Sequence, residues 1–371
     1  METYLEVIKQ SLIFFPFVAM LITLPYVIYN YRKYGSVLSL RILIVYSFVL
    51  YMMCVYFLVI LPLPSVEAVR QMTGPRVQLV PFMFAADIQK DFDAVYQVLF
   101  NVLMTVPFGI YMRYYFRCSF KKTLLLSFLL SLFFELTQLS GLYFIYPRSY
   151  RLFDVDDLMA NTLGGVLGYA VWQPFRRLVP SRKKLDENSF ARGKRISVSR
   201  RLLAFFVDMI CLNIAQGALK LILVLLHADR LWELLPGAEA FPLSQVIFYL
   251  TALLYFAGIP TVWNGQTPGM RFMKMRVADV GEGSLRWYQP MLRYGILWLF
   301  GVGIPWIWSA VVRYGQQQEW ISPALASVWQ GILWGLYTAG VVTVLMLIAL
   351  RKRVFYEAWS KTRLVSTITE M

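Results

Sequence analysis

Long apolar segments constrain this chain more than any other feature of its sequence. A helix that crosses a membrane needs about 20 mostly apolar residues, and nine segments of the 371-residue chain meet that requirement. Hydrophobic residues make up 58% of the chain and charged residues only 15%, whereas soluble domains contain about 25% charged residues. We therefore predict an all-α polytopic membrane protein with about nine transmembrane helices. The predicted spans are 10–30, 41–62, 95–113, 122–141, 157–175, 202–226, 244–263, 292–312 and 328–350.

The basic residues predict how these helices are oriented. The chain has 36 Lys and Arg against 21 Asp and Glu, a net charge of +15. The excess lies in alternate loops, as the positive-inside rule predicts for cytoplasmic loops. This pattern places the N-terminus outside and the C-terminus in the cytoplasm, and because topology explains the charge, nucleic acid is not an expected partner. The loops of the opposite, mixed or acidic set are 63–94, 142–156, 227–243 and 313–327.

One strongly basic stretch, residues 176–199, divides the chain. It holds eight basic residues against Asp186 and Glu187, and the apolar periodicity lapses there. We predict a five-helix membrane domain at 1–175, a basic cytoplasmic linker at 176–199 and a four-helix membrane domain at 200–371. The simplest role for the linker is attraction to anionic lipid headgroups, at about 1 kcal/mol per nearby basic residue. Membrane lipids are therefore predicted partners.

Polar residues in the first half predict a cluster near the outer face. Glu135 and Gln138 are three residues apart and so share one face of the fourth span. Glu135 lies roughly 9 Å below the outer edge of that span. Asn101 and Asn161 lie near the outer ends of the third and fifth spans. A carboxylate inside a membrane is by default a candidate functional group.

The loop Pro147–Asp157, above this cluster, adds two arginines and three acids. Asp157 begins the fifth span, where the helix dipole favours a carboxylate. A structural alternative is that Glu135 pairs with Arg148 or Arg151 and only ties the helices together. The set as a whole favours a binding site that opens outward, in which Glu135 and Asp154 are the candidate catalytic residues. The predicted binding residues are Asn101, Glu135, Gln138, Arg148, Arg151, Asp154, Asp157 and Asn161.

These motifs together resemble the VanZ-like family over roughly residues 40–175. The resemblance implies an integral membrane protein of Gram-positive type, and members of the family are linked to resistance to the lipoglycopeptide teicoplanin. It therefore implies a role at the cell envelope. The matching motifs are Asn101 with Pro107-Phe108-Gly109, Phe134-Glu135-Leu136-Thr137-Gln138, the run from Arg151 to Asp157, and Asn161-Thr162-Leu163-Gly164-Gly165 with Gly168.

The second half resembles the RDD family of small membrane domains over residues 200–365. Arg201 and Asp208 match the arginine and the aspartate that open the family pattern, and Glu357 stands in the position of its second aspartate. Arg201 and Asp208 lie seven residues apart, two turns along one helix face. The set of Arg201, Asp208 and Glu357 is predicted either to line an ion or solute pathway or to tie the helices together.

Other motifs exclude several classes of protein. The three cysteines have neither a disulfide framework nor metal-ligand spacing, and His227 is the single histidine. No metal site and no cofactor are therefore predicted. The chain has no GxxxxGK[ST] motif, which argues against an ATPase. In the segment 264–291, glycines and the alternation from Met273 to Val277 predict a short cytoplasmic hairpin.

Three functional hypotheses follow. The first is a cell-surface factor that binds or modifies a lipid-linked envelope precursor or a lipoglycopeptide through the outer polar cluster. The second is a membrane enzyme in which Glu135 or Asp154 acts as a general base. The third is a transporter or ion exchanger that uses Asp208 and Glu357, although no internal repeat supports it.

Overall fold

The structure is a computed structural model that divides into two compact units. One unit comprises Met1–Val27 with Val37–Asn188, and the other comprises Ile28–Ser36 with Ser189–Met371. Parts of the predicted outer loops 63–94 and 227–243 lie outside the described residues. The described residues are 2–85, 93–177, 179–227, 243–281, 283–350 and 352–368.

Eight helices among the described residues are long and apolar enough to cross a membrane. They confirm the prediction of an all-α polytopic membrane protein. The orientation of the termini stays a prediction. The eight helical segments are Leu5–Tyr34, Ser39–Ile60, Ala94–Tyr114, Phe120–Leu139, Val198–Leu225, Leu243–Val262, Tyr288–Gln317 and Pro323–Ala349.

The first unit is built mainly from long helices, with one short parallel pair of strands, β1 Val77–Gln78 and β2 Phe153–Asp154. The end of α1 and the end of α8 belong to the second unit. The helices are α1 Glu2–Tyr34, α2 Ser39–Ile60, α3 Val66–Gln71, α4 Asp93–Tyr114, α5 Phe120–Leu139, α6 Gly141–Phe144, α7 Val155–Phe175 and α8 Arg182–Gly193.

Helix α8 lies inside the stretch that the sequence predicts as a linker. Its residue Asp186 accepts a hydrogen bond from Arg41 of α2 at 2.6 Å, and Arg41 is buried. Arg182, one turn before Asp186, also bonds to it at 3.2 Å. An ion pair therefore joins the first half of α8 to α2 within the first unit.

Helix α7 corresponds to the fifth predicted span but is not among the eight apolar helices. Its acidic first turn and its three glycines make it less apolar than those eight. It lies parallel to α4 along its length, because Asn101 contacts Asp157 at one end and Arg113 contacts Gln173 at the other. Helix α7 therefore occupies the same layer of the protein as α4.

Glycines allow α4 and α7 to approach closely. A Cβ atom on Gly164 would overlap the carbonyl oxygen of Val102, and one on Gly168 would overlap that of Val106. Small residues at helix interfaces permit this close approach in membranes. The contact defines the register of the two helices and so places Asn101 beside Asp157.

The second unit has longer spans interrupted by two π-helical turns, Leu254–Gly258 and Leu299–Gly303. Each turn is followed within two residues by a proline, which cannot donate a helical hydrogen bond. The remaining elements are α9 Val198–Leu225, α10 Leu243–Leu253, α11 Ile259–Val262, α12 Pro268–Phe272, β3 Met275–Asp279, α13 Tyr288–Trp298, α14 Ile304–Gln317, α15 Pro323–Ala349, α16 Phe355–Trp359 and β4 Thr362–Ser366.

The predicted hairpin within 264–291 is wrong. The alternating residues do form a strand, β3, but its antiparallel partner is β4 near the C-terminus, with Met275 opposite Ser366. Met275 and Val277 are buried. Alternation identifies a strand with one buried face, but it does not identify the segment that pairs with that strand.

The α4–α7 contact predicts that a glycine-to-alanine substitution destabilises the protein at this interface but not elsewhere. Gly168→Ala should lower the free energy of unfolding by about 1–3 kcal/mol, because the added methyl group overpacks the interface. Gly331→Ala in α15 is the matched control, since a Cβ there meets nothing within 4 Å. Unfolding of the purified protein by denaturant, followed by circular dichroism, measures both. Equal stability of the two variants would contradict the proposed role of this contact.

Candidate functional site

A cavity of about 360 Å³ lies in the first unit among α1, α2, α4, α5 and α7. Its wall combines polar side chains with apolar ones such as Val7, Leu58 and Phe100. Arg148 and Asp154, two of the eight predicted binding residues, are not among its lining residues. The six that do line it are Asn101, Glu135, Gln138, Arg151, Asp157 and Asn161.

Glu135 lies on the inner face of α5 and is 3% exposed. Its Oε2 atom accepts a hydrogen bond from the backbone N–H of Asp154 at 3.0 Å. Among the described residues its Oε1 atom has no hydrogen-bond donor, and Glu135 lines the cavity. The predicted pairing of Glu135 with Arg148 or Arg151 does not occur as an ion pair between described side chains. One carboxylate oxygen thus holds the loop, and the other remains available on the cavity side.

Arg151 binds the end of α2 instead. Its guanidinium donates to the carbonyl oxygens of Val59 at 3.0 Å and Leu61 at 2.8 Å. Gln138 donates to the same Val59 carbonyl at 2.9 Å. A cation at a helix C-terminus satisfies carbonyls that lack helical partners and complements the helix dipole. Arg148 is outside this arrangement and donates to the carbonyl of Gly74 at 2.8 Å.

Two amide side chains complete the polar wall. Asn101 donates to Asp157 Oδ1 at 2.5 Å, which orients that carboxylate. Asn161 is 4% exposed, and its Oδ1 atom is buried without a hydrogen-bond partner. Leaving such a group unpaired costs about 1–3 kcal/mol. Asn161 therefore carries an acceptor that the described protein groups do not satisfy, but this atom is itself buried and is not presented to the cavity.

The side chains of Asp154 and Asp156 accept hydrogen bonds from nearby backbone N–H groups. Asp154 caps α7 by accepting from the N–H of Asp156 at 2.8 Å. Asp156 accepts from the N–H groups of Phe82 at 2.7 Å and Phe84 at 3.0 Å. Sequence reasoning did not single out Asp156, because three acids within four residues have no distinguishing spacing. Asp154 is thus committed to a helix cap, and Glu135 is the better placed of the two candidate bases.

The second unit holds Asp208 with three donors. Tyr255 donates to Oδ1 at 2.9 Å, and Thr267 donates to Oδ2 at 2.6 Å. The backbone N–H of Gly269 also donates to Oδ1 at 2.6 Å. Asp208 is buried, and a Cβ at Gly269 would overlap the carbonyl of Ala204. Both oxygens of the carboxylate are therefore satisfied within the protein.

Arg201 and Glu357, the other two predicted charged residues, lie together. Arg201 lies 3.6 Å from Glu357 Oε1, and Arg293 lies 2.9 Å from the same atom. Arg293 also donates to the hydroxyl of Thr362 at 2.9 Å. Arg293 is not among the charged residues that the sequence analysis singles out. Asp208 has a different set of partners, so the three residues predicted as one set form two separate contacts.

Arg200 is a fully buried arginine that sequence reasoning did not single out. It is 0% exposed, and its guanidinium donates to the carbonyls of Met273 at 2.9 Å, Gly193 at 3.1 Å and Lys274 at 2.5 Å. It also donates to the hydroxyl of Ser366 at 3.1 Å. The neighbouring Arg201 matched the family pattern, and no local signal distinguishes the two residues.

Eight apolar helices and buried polar groups in both units define a multi-pass membrane protein with a polar cavity in its first unit. Residues 48–176 match the model of the VanZ/LLP1 family, and residues 195–360 match that of the RDD family. The chain is therefore an integral membrane protein with an N-terminal VanZ-like part and a C-terminal part that matches the RDD family. These two membrane families support a location in the bacterial cell membrane. No curated protein and no solved structure matches the chain.

Substitution by lysine should affect the stability of the protein differently at the adjacent residues Arg200 and Arg201. Arg200→Lys should lower the free energy of unfolding by about 2 kcal/mol or more, because lysine cannot reproduce the forked donors and leaves carbonyls unpaired. Arg201→Lys should cost only about 0–1 kcal/mol, since its side chain is 27% exposed and its ion pair is long. Denaturant unfolding of both variants provides the comparison. A larger effect at Arg201 would refute the assignment of Arg200 as the structural arginine.

Proposed function

We propose that the VanZ-like part binds or acts on a lipid-linked envelope component or a lipoglycopeptide at the outer membrane face. The observation that carries the proposal is the cavity lined by the buried Glu135, whose Oε2 atom accepts from the backbone of Asp154 while its Oε1 atom has no donor among the described residues. Buried polar groups in proteins are normally paired. A carboxylate oxygen left open on a cavity wall therefore favours a ligand that supplies the missing donor.

The size of the cavity limits which part of a ligand it can hold. Small-molecule sites are clefts of about 300–1,000 Å³, and this cavity has about 360 Å³. It therefore suits a head group or one terminal moiety, with the rest of a large envelope molecule outside. In this proposal the protein contributes to envelope protection or to teicoplanin tolerance in a Gram-positive cell.

The structure favours Glu135 as the centre of any chemistry at this site. Asp154 caps a helix, whereas Glu135 has one oxygen available. In the loop next to Arg151, burial raises the pKa of Tyr150, so this phenol stays neutral and is a poor nucleophile. Binding of the ligand and any chemical step on it would both depend on this carboxylate.

A drug-susceptibility test compares the effect of substituting Glu135 with the effect of substituting Glu67, a matched glutamate outside the cavity. Expression of the wild type in a susceptible Gram-positive host should raise the minimal inhibitory concentration of teicoplanin, with vancomycin as the control drug. Glu135→Gln should abolish the rise, because a charge-assisted hydrogen bond to the ligand is lost and affinity falls about tenfold. Glu67→Gln should preserve it, since Glu67 is exposed on α3 and does not line the cavity.

Equal membrane abundance of the three proteins, measured by immunoblot, makes their values comparable. A rise that survives Glu135→Gln would contradict the proposed site and favour Glu135 as a tie between α5 and the loop. No rise with the wild type would contradict the teicoplanin role itself. The transporter hypothesis for Asp208 and Glu357 would then be tested by ion flux in vesicles.

A further inference from the structure

The cavity of the first unit extends from an exposed rim to a buried floor. At the rim, the lining residues Gln97 and Pro62 are exposed. At the floor, Glu135 is 3% exposed, Gln138 is 7% exposed and Phe134 is 2% exposed. A ligand that enters past the rim therefore meets the side chains of Glu135 and Gln138 at the deepest part of the cavity.

Hydrogen bonds inside the wall leave two acceptor oxygens at the floor unpaired. Gln138 donates its amide nitrogen to the carbonyl of Val59 at 2.9 Å, which identifies Oε1 as the acceptor end of that amide. Among the described residues, neither this atom nor Glu135 Oε1 has a hydrogen-bond donor. Unlike Asn161 Oδ1, neither is an unpaired atom that the protein fully encloses. Because both side chains line the cavity, both oxygens are accessible from it.

Asp157 places a second carboxylate on the cavity wall. Its Oδ1 atom accepts from Asn101 at 2.5 Å, and its Oδ2 atom has no donor among the described residues. Neither Asp157 nor Glu135 forms an ion pair with a described side chain. Arg151, the basic residue of the wall, donates to two carbonyl oxygens at the end of α2. The wall therefore carries two carboxylates against one arginine, and that guanidinium is bound at a helix C-terminus.

Other carboxylates of the protein are balanced more fully. Asp208 accepts from three donors, and Glu357 lies within 3.6 Å of two arginines. Glu135 has one donor among the described residues, the backbone N–H of Asp154. A buried carboxylate with so few partners is costly in a membrane. The cavity therefore favours a ligand that supplies positive charge together with hydrogen-bond donors.

An ammonium group meets both requirements. It has three donors and no acceptor, and hydrogen bonds that involve ionised groups are about twice as strong as neutral ones. A hydroxyl group supplies a donor but no charge. A metal ion fits less well, because the described residues contain no group of three or more acidic, histidine or cysteine side chains that could hold one.

We propose that the cavity binds its ligand through a primary ammonium group that donates hydrogen bonds to Glu135 Oε1 and Gln138 Oε1, with the Asp157 carboxylate as a second counter-charge. The proposal rests on the binding function proposed above for the VanZ-like part and names the chemical group that its ligand presents. Phe100 and Met104 also line the cavity and supply apolar contacts for the carbon atoms next to the nitrogen.

Photo-crosslinking of the full chain in phosphatidylcholine nanodiscs tests the proposal, since the head group of this lipid has no N–H donor. Three probes share one short alkyl chain with a diazirine and differ only at its end, which is a primary ammonium, a trimethylammonium or a hydroxyl group. Peptide mass spectrometry measures labelling at Phe100, Met104 and Phe134, which line the cavity. The concentration of each probe that gives half-maximal labelling is the quantity compared.

The primary ammonium probe should reach half-maximal labelling at a concentration about tenfold lower than either other probe, the effect of one charge-assisted hydrogen bond. Glu135→Gln should remove this advantage, because a glutamine can still accept from the N–H of Asp154 but carries no charge. Asp157→Asn should reduce the advantage, and Glu67→Gln, at an exposed position of α3, should retain it. Labelling by the hydroxyl probe is the control for an intact cavity, and if Glu135→Gln loses it, Asp157→Asn decides.

Equal concentrations for the ammonium and hydroxyl probes would overturn the proposal, and so would an advantage that survives both Glu135→Gln and Asp157→Asn. Equal values for the two cationic probes would also contradict it, because the site would then recognise charge without hydrogen bonds. Calcium chloride that displaces the ammonium probe at a lower concentration than butylammonium chloride does would assign the cavity to a metal ion instead.

The drug-susceptibility test has an independent outcome. Labelling that is selective for the ammonium probe, without a teicoplanin effect, would support the ligand group and refute the resistance role. A teicoplanin effect that needs Glu135, without such selective labelling, would support the site and refute the ammonium ligand.

Discussion

The close contact of α4 with α7 is the interaction on which the candidate site depends. Because Gly164 and Gly168 leave no room for side chains, the two helices pack backbone to backbone and hold one register. That register places Asn101 against Asp157 and sets Asn161 one turn further along the cavity wall. Hydrophobic burial does not drive association within a lipid bilayer, so close packing of small residues takes that role. A site lined by four amides and two carboxylates can then be built between apolar helices.

Buried charges in the second unit are paired more completely than the groups of this site. Asp208 accepts from three donors, and Arg200 donates to four acceptors, three of them backbone carbonyls. Unpaired polar groups are costly away from water, and these partners remove that cost within the protein. Such groups rigidify a membrane domain. Glu135 shares one of these features, the backbone partner at Asp154, but retains an open oxygen on a cavity.

The sequence predicts the features that depend on local periodicity. Eight of the nine predicted spans correspond to apolar helices, and the ninth, near α7, is a helix whose acids and glycines make it less apolar. Spacing also places Glu135, Gln138 and Asn161 on faces that meet in one cavity. Periodicity cannot identify partners far apart in the chain. It therefore missed the pairing of β3 with β4 and could not tell that Arg200, and not Arg201, is the buried arginine.

The same limit explains why the roles of the loop residues could not be predicted. In the sequence, Arg151 and Asp154 are two charged residues beside a candidate site. In the structure, Arg151 binds the carbonyl oxygens of Val59 and Leu61, and Asp154 caps α7. Backbone groups therefore occupy both side chains. Glu135 differs from them because the loop binds only its Oε2 atom, and its Oε1 atom has no donor among the described residues.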